Sequence, residues 1–257
     1  MAACHRSATI FTGMVYKKKK WFAMSTTGGN NAFINSLLDF FLPRFCVACS
    51  IKLNPSENSL CNSCLLKIKR ASTQRLEREF DRKFRNSKII SDFFSLYIFE
   101  KDKELQHAIH ALKYNNNFSV GKFLGQQLAN TMMSENKIWN IDLIIPIPLH
   151  QLKKAERGYN QSFYIAKGVN KILKKKISTR DVKRTRYTES QTSMNLTERE
   201  ENISGAFKVI FPNAVKDRTI LLIDDIITTG ATISECGRVL LEAGSKNIFA
   251  ASVGIAD

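Results

Sequence analysis

No stretch of the 257 residues approaches the ~18 consecutive apolar residues that a membrane-crossing helix requires, so a spanning segment is excluded. Cysteine is scarce, six in all, which excludes a disulfide-stapled miniprotein. G-x-x-x-x-G-K-[ST] does not occur, so a nucleoside-triphosphate loop is not supported. Acidic residues run short: 23 Asp plus Glu against 39 Lys plus Arg leave a net charge of +16. What is present is ordinary for a folded chain. Hydrophobic residues make up 44% and charged residues 24%, which rules out disorder, and the length allows one or two domains with an ample core. The excess charge fits nucleic acid, a phosphorylated ligand or a solvated surface.

The charge is unevenly spread. Residues 1–24 hold five basic and no acidic residues, residues 25–90 carry +6, and residues 91–140 are neutral. Residues 141–209 carry +7, and residues 210–257 carry −2. Lys17, Lys18, Lys19 and Lys20 are followed by no apolar core, so the start is a poor secretory signal. Residues 1–24 read as an upstream extension that does not pack, with a basic arm on nucleic acid as the rival reading. Residues 26–31, rich in Thr, Gly and Asn, read as a linker, which makes 1–32 a disordered leader.

Four of the six cysteines are paired. Cys46, Cys49, Cys61 and Cys64 form two C-x2-C knuckles eleven residues apart. Each knuckle aims two thiolates at one centre, and two knuckles complete a tetrahedral S4 site suited to zinc. A redox pair is the rival, but two paired motifs favour metal. With all four ligands thiolates, no position is left open for water, so the zinc is expected to be structural. Reduced cysteines imply a cytoplasmic compartment. Ahead of the knuckles, Phe33, Ile34, Leu37, Leu38, Phe40, Phe41 and Leu42 predict an apolar helix stopped by Pro43. Residues 33–70 thus form a helix plus ribbon unit.

Residues 66–90 are basic and weakly patterned and read as a solvated helix or linker. A strand is expected over 91–99. Leu105, Ala108, Ile109 and Leu112 predict a helix over 103–113, and a second helix follows over 120–133. His107 and His110 have no third metal ligand in sight and read as structural. Ile141 to Pro148 reads as a buried strand delivering a stiff loop at Pro148, Leu149 and His150, and that loop runs on to Arg157, Gly158, Tyr159, Asn160 and Gln161. A helix is expected through Phe163 to Leu173, and a strand near Asp181.

The sharpest feature is T-I-L-L-I-D-D-I-I-T-T-G-A-T over 219–232. Ile220, Leu221, Leu222 and Ile223 predict a buried parallel strand and hence an α/β sheet. Asp224 and Asp225 fall at its C-terminal end, where ligands bind in open α/β sheets. Thr228, Thr229, Gly230, Ala231 and Thr232 form a small hydroxyl-rich turn ahead of a helix, whose backbone N–H groups can cradle a phosphate. Carboxylates would repel a phosphate placed on them but accept hydrogen bonds from sugar hydroxyls. The constellation therefore fits a ribose-phosphate: hydroxyls on the aspartates, 5′-phosphate in the turn, with Mg2+ beside them.

This string resembles the phosphoribosyl-pyrophosphate (PRPP) motif of type I phosphoribosyltransferases. Further blocks narrow the resemblance to the ComF family, also called ComFC- or GntX-like. They are D-L-I-I-P-I-P-L-H over 142–150, R-G-Y-N-Q over 157–161, then Arg184, Thr188, Gln191, Arg199, Asn202 and G-A-F over 205–207. Two positions depart from the family pattern: Met194 stands for a leucine, and Lys153 and Lys154 for an arginine.

The resemblance implies an α/β type I phosphoribosyltransferase domain over 91–257, a Rossmann-like parallel sheet, behind a small zinc ribbon. It implies that Asp224 and Asp225 hold ribose hydroxyls and that Thr228, Thr229, Gly230, Ala231 and Thr232 hold the 5′-phosphate. Pro148, Leu149 and His150 would bind pyrophosphate. Arg157, Gly158, Asn160, Gln161, Gln191 and Asn202 belong to family blocks. Residues 184–202 stand where these enzymes have a flexible catalytic loop, with Arg184 and Arg199 as catalytic candidates and Thr197 with Glu200 as a capping box. The implied activity is PRPP binding and phosphoribosyl transfer in DNA uptake during natural transformation. The implied partners are single-stranded DNA, a competence helicase and a recombination loader. A single-stranded DNA-binding factor without transfer activity is the alternative, and no residue names the acceptor.

Overall fold

A computed structural model of the chain describes residues 43–137, 139–187 and 203–256. The expected leader and the helix over 33–42 lie outside the described residues, as do Thr188, Gln191, Met194, Thr197, Arg199, Glu200 and Asn202.

The fold is organised by β6 (Thr219–Ile227), whose apolar run is buried almost throughout. It pairs in parallel with β2 (Leu143–Pro146) on one side and β7 (Asn247–Ile255) on the other. β7 pairs with β1 (Asp92–Ile98) and β2 with β3 (Lys176–Ile177), giving a five-stranded parallel sheet of order β1-β7-β6-β2-β3. Parallel strands need covered faces, and Val, Ile and Leu runs without polar alternation supply them. All C-terminal strand ends therefore lie along one edge, the place where α/β sheets bind ligands. Residues 224 and 225 sit inside β6 rather than at its end: pairing with β7 continues to Ile227, because Ile226 and Ile227 extend the apolar run past the carboxylates.

Helices α4 (Phe118–Ser134) and α6 (Gln161–Leu173) cover the sheet, and α3 (Glu104–Tyr114) packs against α4. α4 and α6 cross so closely that a Cβ at Gly125 would lie 2.1 Å from the Ile165 carbonyl oxygen, and one at Gly168 would lie 2.2 Å from that of Lys122. α8 (Ala231–Glu242) packs against β6 and β7. Trp139 stacks on Phe249 and its indole N–H donates to Asp92.

Three elements differ from the sequence expectation. The segment over 66–90 contains α2 (Thr73–Lys83), and this helix is not solvated all round: Leu76, Glu79 and the following Phe84 are buried, and Phe80, Phe84 and Phe93 form an aromatic cluster against β1. Its basic composition conceals an apolar stripe. The loop after β2 is interrupted by α5 (Gln151–Arg157), capped by the His150 imidazole and ended by Gly158 in the left-handed region, φ 79°. Leu152 and Ala155 are its only apolar residues and none of the helix is buried, so no apolar period announces it. β4 (Val182–Arg184) does not join the main sheet; it pairs antiparallel with β5 (Phe207–Val209), and α7 (Pro212–Val215) follows.

The cysteine-bearing segment precedes α2. Cys61 caps α1 (Asn62–Lys67), and the Glu57 carboxylate accepts from the N–H groups of Asn54 and Asn62, tying the spacer between the knuckles to the start of the second one. The chain leaving α1 runs beside β1, with Ala71 N–H donating to Leu96 and Ile98 N–H to Lys69.

Candidate functional site

The ends of β2 and β6 bring the predicted residues together. β6 delivers Asp224 and Asp225, the turn 228–230 follows, and Gly230 starts α8 in the left-handed region, φ 85°. The Thr229 hydroxyl accepts from the Ala231 N–H, which shapes the turn. The first-turn amides of α8 have no acceptor within the helix and add to its positive end.

Both aspartates are already engaged by protein groups. The Ser162 hydroxyl donates to Asp224 at 3.0 Å, and the Asp225 N–H donates to the same oxygen at 2.9 Å. Asp225 closes an ion pair with Lys113, from the end of α3, and accepts weakly from the Gln161 amide at 3.5 Å. Gln161 is held in turn by the Arg157 guanidinium. This chain of contacts runs from the R-G-Y-N-Q block to the carboxylates, while Asn160 Nδ2 donates to the Ile147 carbonyl at 2.8 Å and anchors the preceding loop.

The electrostatics divide the pair. Part of Asp224 reaches solvent, but its carboxyl lies among protein atoms. That burial, with the charge of Asp225 next to it, pushes its pKa up to about 8. Burial works against the charge of Asp225 too, but the Lys113 ammonium overcomes it and holds this carboxyl below its ordinary range. Reciprocally, burial disfavours the Lys113 charge, and Asp225 and Asp224 hold its pKa above the ordinary lysine value.

The loop after β2, the strand next to β6, builds a neighbouring cationic region. His150 bridges to Arg184, so the loop at 148–150 meets the start of the 184–202 segment. A cavity of about 500 Å3 opens there, lined by Pro148, Leu149, Lys154, Asn160, Lys183 and Arg184 among others, and none of the described residues lining it is acidic. Burial, then the neighbouring cations Arg184 and Arg157, depress the Lys153 pKa. Of the site residues named from sequence, Arg199, Gln191 and Asn202 lie outside the described residues.

Lys113 and Ser162 were not singled out from sequence. The available signal was slight: Lys113 directly follows the buried Leu112 on an apolar helix, and Ser162 sits one residue into a helix whose N-cap is Asn160.

The four cysteines form a second centre. Their sulfur atoms all lie within 4.8 Å of one another, and Cys49 Sγ is 3.7 Å from Cys61 Sγ. Ligands ~2.3 Å from a tetrahedral zinc stand ~3.8 Å apart, so the donor set fits that metal.

Comparison with known proteins gives consistent relatives. Residues 160–256 match the phosphoribosyl transferase domain family. Competence protein F of Haemophilus influenzae is 25% identical over 234 residues, covering 82% of this chain and 96% of that protein. DNA utilization protein YhgH of Escherichia coli (strain K12) is 28% identical over 147 residues, covering 56% of this chain and 64% of that protein, so the chain spans just under two thirds of YhgH. Competence protein ComFC of Bacillus subtilis is 31% identical over 102 residues, covering 40% of this chain and 39% of that protein. Among solved structures, glutamine PRPP amidotransferase from B. subtilis in complex with ADP and GMP aligns with a TM-score of 0.38 and 18% identity, covering 56% of this chain and 30% of that one.

Proposed function

This chain belongs with the Competence protein F, ComFC and YhgH proteins, a phosphoribosyltransferase domain preceded by a four-cysteine cluster, and on that premise we propose that it binds PRPP or a related ribose-phosphate. The observation that carries the reading is the placement of the 228–232 turn directly after the Asp224–Asp225 pair on the central strand, next to β2, whose following loop lines a cavity with cations. The turn takes the 5′-phosphate through backbone N–H groups and threonine hydroxyls. Asp224, with its Ser162 support, accepts from a ribose hydroxyl, and Asp225 does so from behind its Lys113 pair. The cationic wall around Arg184 receives the pyrophosphate, since Arg presents paired donors to phosphate oxygens.

Phosphoribosyl transfer is the reaction this arrangement suits. The residues orient the sugar, exclude water and meet the negative charge that develops on the departing pyrophosphate. Mg2+ is implied by the family, and the donor set admits it only in part: Asp225 is balanced by Lys113, which leaves Asp224 and the ligand's own phosphate oxygens to hold the ion. When bound, it would neutralise leaving-group charge.

The four cysteines suit a structural zinc. Calorimetric titration with PRPP tests the site: heat is expected with the wild-type protein and strongly reduced heat with Asp224→Asn. No heat with the wild type, or equal heat with the variant, overturns the reading.

A role in competence and DNA utilization is in keeping with the names of the relatives, and the family resemblance adds a helicase and a recombination loader as proposed partners. A second reading, direct contact with single-stranded DNA, is favoured by cations seated over aromatic rings beside the site: Lys153 over Tyr187, Arg157 over Tyr114, and Lys167 over Phe163. Bases stack on such rings while cations track the backbone. Fluorescence anisotropy with labelled single-stranded DNA should then show affinity falling steeply with salt; weak, salt-indifferent binding counts against it.

A further inference from the structure

Lys83, the last residue of α2, lies far in sequence from the turn at 228–232, yet its ammonium ends beneath that turn. An ammonium has three donors, and three acceptors surround this one: Glu79 Oε2 at 3.0 Å, the Ala256 carbonyl at 3.2 Å, and the Thr228 carbonyl in closer contact. The side chain is only 4% exposed. A buried cation persists where its hydrogen bonds are saturated. The two carbonyls belong to the residues just past β6 and β7, where the ladder between the strands runs out.

Three further observations give the contact a purpose. A trans peptide is planar, with its C=O and N–H pointing opposite ways. Holding the Thr228 carbonyl toward Lys83 therefore turns the Thr229 N–H away from α2, to the open side. Two residues on, Gly230 rests on the same helix end: a Cβ there would meet the Phe84 ring at 2.8 Å and Lys83 Cβ at 3.3 Å. Finally, Glu79 is shared by Arg75, Arg82 and Lys83, so one carboxylate gathers three cations beside the turn.

We infer that Lys83 is a positioning residue for the anion-binding turn. By drawing the Thr228 carbonyl inward it fixes the conformation in which the turn presents N–H groups to a phosphate, and it places positive charge behind them. The segment that follows the cysteine cluster is thereby part of the ribose-phosphate site. This inference rests on reading residues 228–232 as a phosphate turn.

The test uses the full chain, with ribose 5-phosphate as the probe. Lys83→Met removes donors and charge, while Lys83→Gln keeps two donors without the charge. Calorimetry reads affinity, and 15N relaxation of the ligand-free protein reads turn order. Lys83→Met is expected to weaken ribose 5-phosphate about tenfold or more, the loss of one charge-assisted hydrogen bond. The order parameters of residues 229–232 should fall from about 0.85 to below about 0.6 while those of β7 stay high. Lys83→Gln should restore the order but only part of the affinity. A Lys83→Met protein that melts earlier yet keeps a rigid turn and wild-type affinity would make Lys83 merely structural and overturn the inference. Should Lys83→Met fail to fold, Lys83→Gln carries the comparison: unchanged affinity and unchanged turn order overturn it. Wild-type protein that does not bind ribose 5-phosphate would refute the phosphate reading, and the relaxation data would still decide whether Lys83 orders the turn.

Discussion

Lys113 closes an ion pair on Asp225, so one of the two adjacent carboxylates of β6 is balanced from within the protein. The pair is largely buried, with side-chain exposures of 25% and 6%. Removing one partner of such a pair leaves a buried charge uncompensated and costs about 3–5 kcal/mol. Lys113→Met should lose that much in denaturant unfolding at pH 7, and Lys113→Met with Asp225→Asn should regain much of it. The pH dependence has two edges. Asp225 is held low, so its contribution is present above its unfolded value of ~3.9 and is lost as pH falls through its lower folded value. Lys113 is held high, so its contribution is present below ~10.4 and is lost as pH rises through its higher folded value. Unfolding curves that show no cost for the single variant would dismiss the pair as incidental.

Asp224 behaves in the opposite sense. Its pKa is pushed up to about 8, above the unfolded ~3.9, so the folded state binds the proton more readily. Between those values stability should decline as pH rises, and level off above about 8. Asp224→Asn should flatten this decline and be more stable than wild type at pH 8. Chemical denaturation across pH 5 to 9 measures it; parallel curves for the two proteins would be the contrary outcome.

For the cysteine cluster, Cys61→Ser removes a ligand that is also the N-cap of α1. Metal content by mass spectrometry or a chromogenic chelator should fall from about one zinc per chain toward none, and the melting temperature should drop. Full zinc in the variant would contradict the assignment.

At the turn, Gly230→Ala faces two penalties: the left-handed backbone and the contact with Phe84. A loss of about 1–3 kcal/mol is expected, with weaker ribose 5-phosphate binding. Adding Phe84→Leu should relieve the steric share and leave the backbone share.

The α4–α6 crossing is less forgiving. A methyl at Gly168 would press on backbone, not on a side chain able to move. Gly168→Ala should cost about 1–3 kcal/mol or more by forcing the helices apart. Thermal unfolding at wild-type temperature would show the crossing to be looser than these distances state.

What was legible in the sequence was what repeats or is contiguous. The cysteine spacing, the apolar run of β6 and the aspartates followed by the Thr-Gly turn are local patterns; the cysteines gather and the run is the central strand, but Asp224 and Asp225 stand inside that strand rather than at its end. α5 was hidden because a short polar helix leaves no apolar period. Lys113 and Lys83 were hidden for another reason. Each acts across more than a hundred residues of chain, on Asp225 and Thr228, and in sequence each is one lysine among many. The basic stretch over 66–90 read as solvated because its charges are numerous, yet Glu79 gathers three of those cations and carries one of them into the core.

The strand order β1-β7-β6-β2-β3 places the last strand in chain order between β1 and β6. As the chain emerges from the ribosome, β1 has no neighbour in the sheet until β7 follows it, about 150 residues later. Closure of the sheet waits for β7. Until then β1 and the aspartate strand keep unpaired edges that other chains could pair with. This architecture makes nascent-chain protection, rather than the stability of the finished fold, the stage at which mutations in β7 should do most harm.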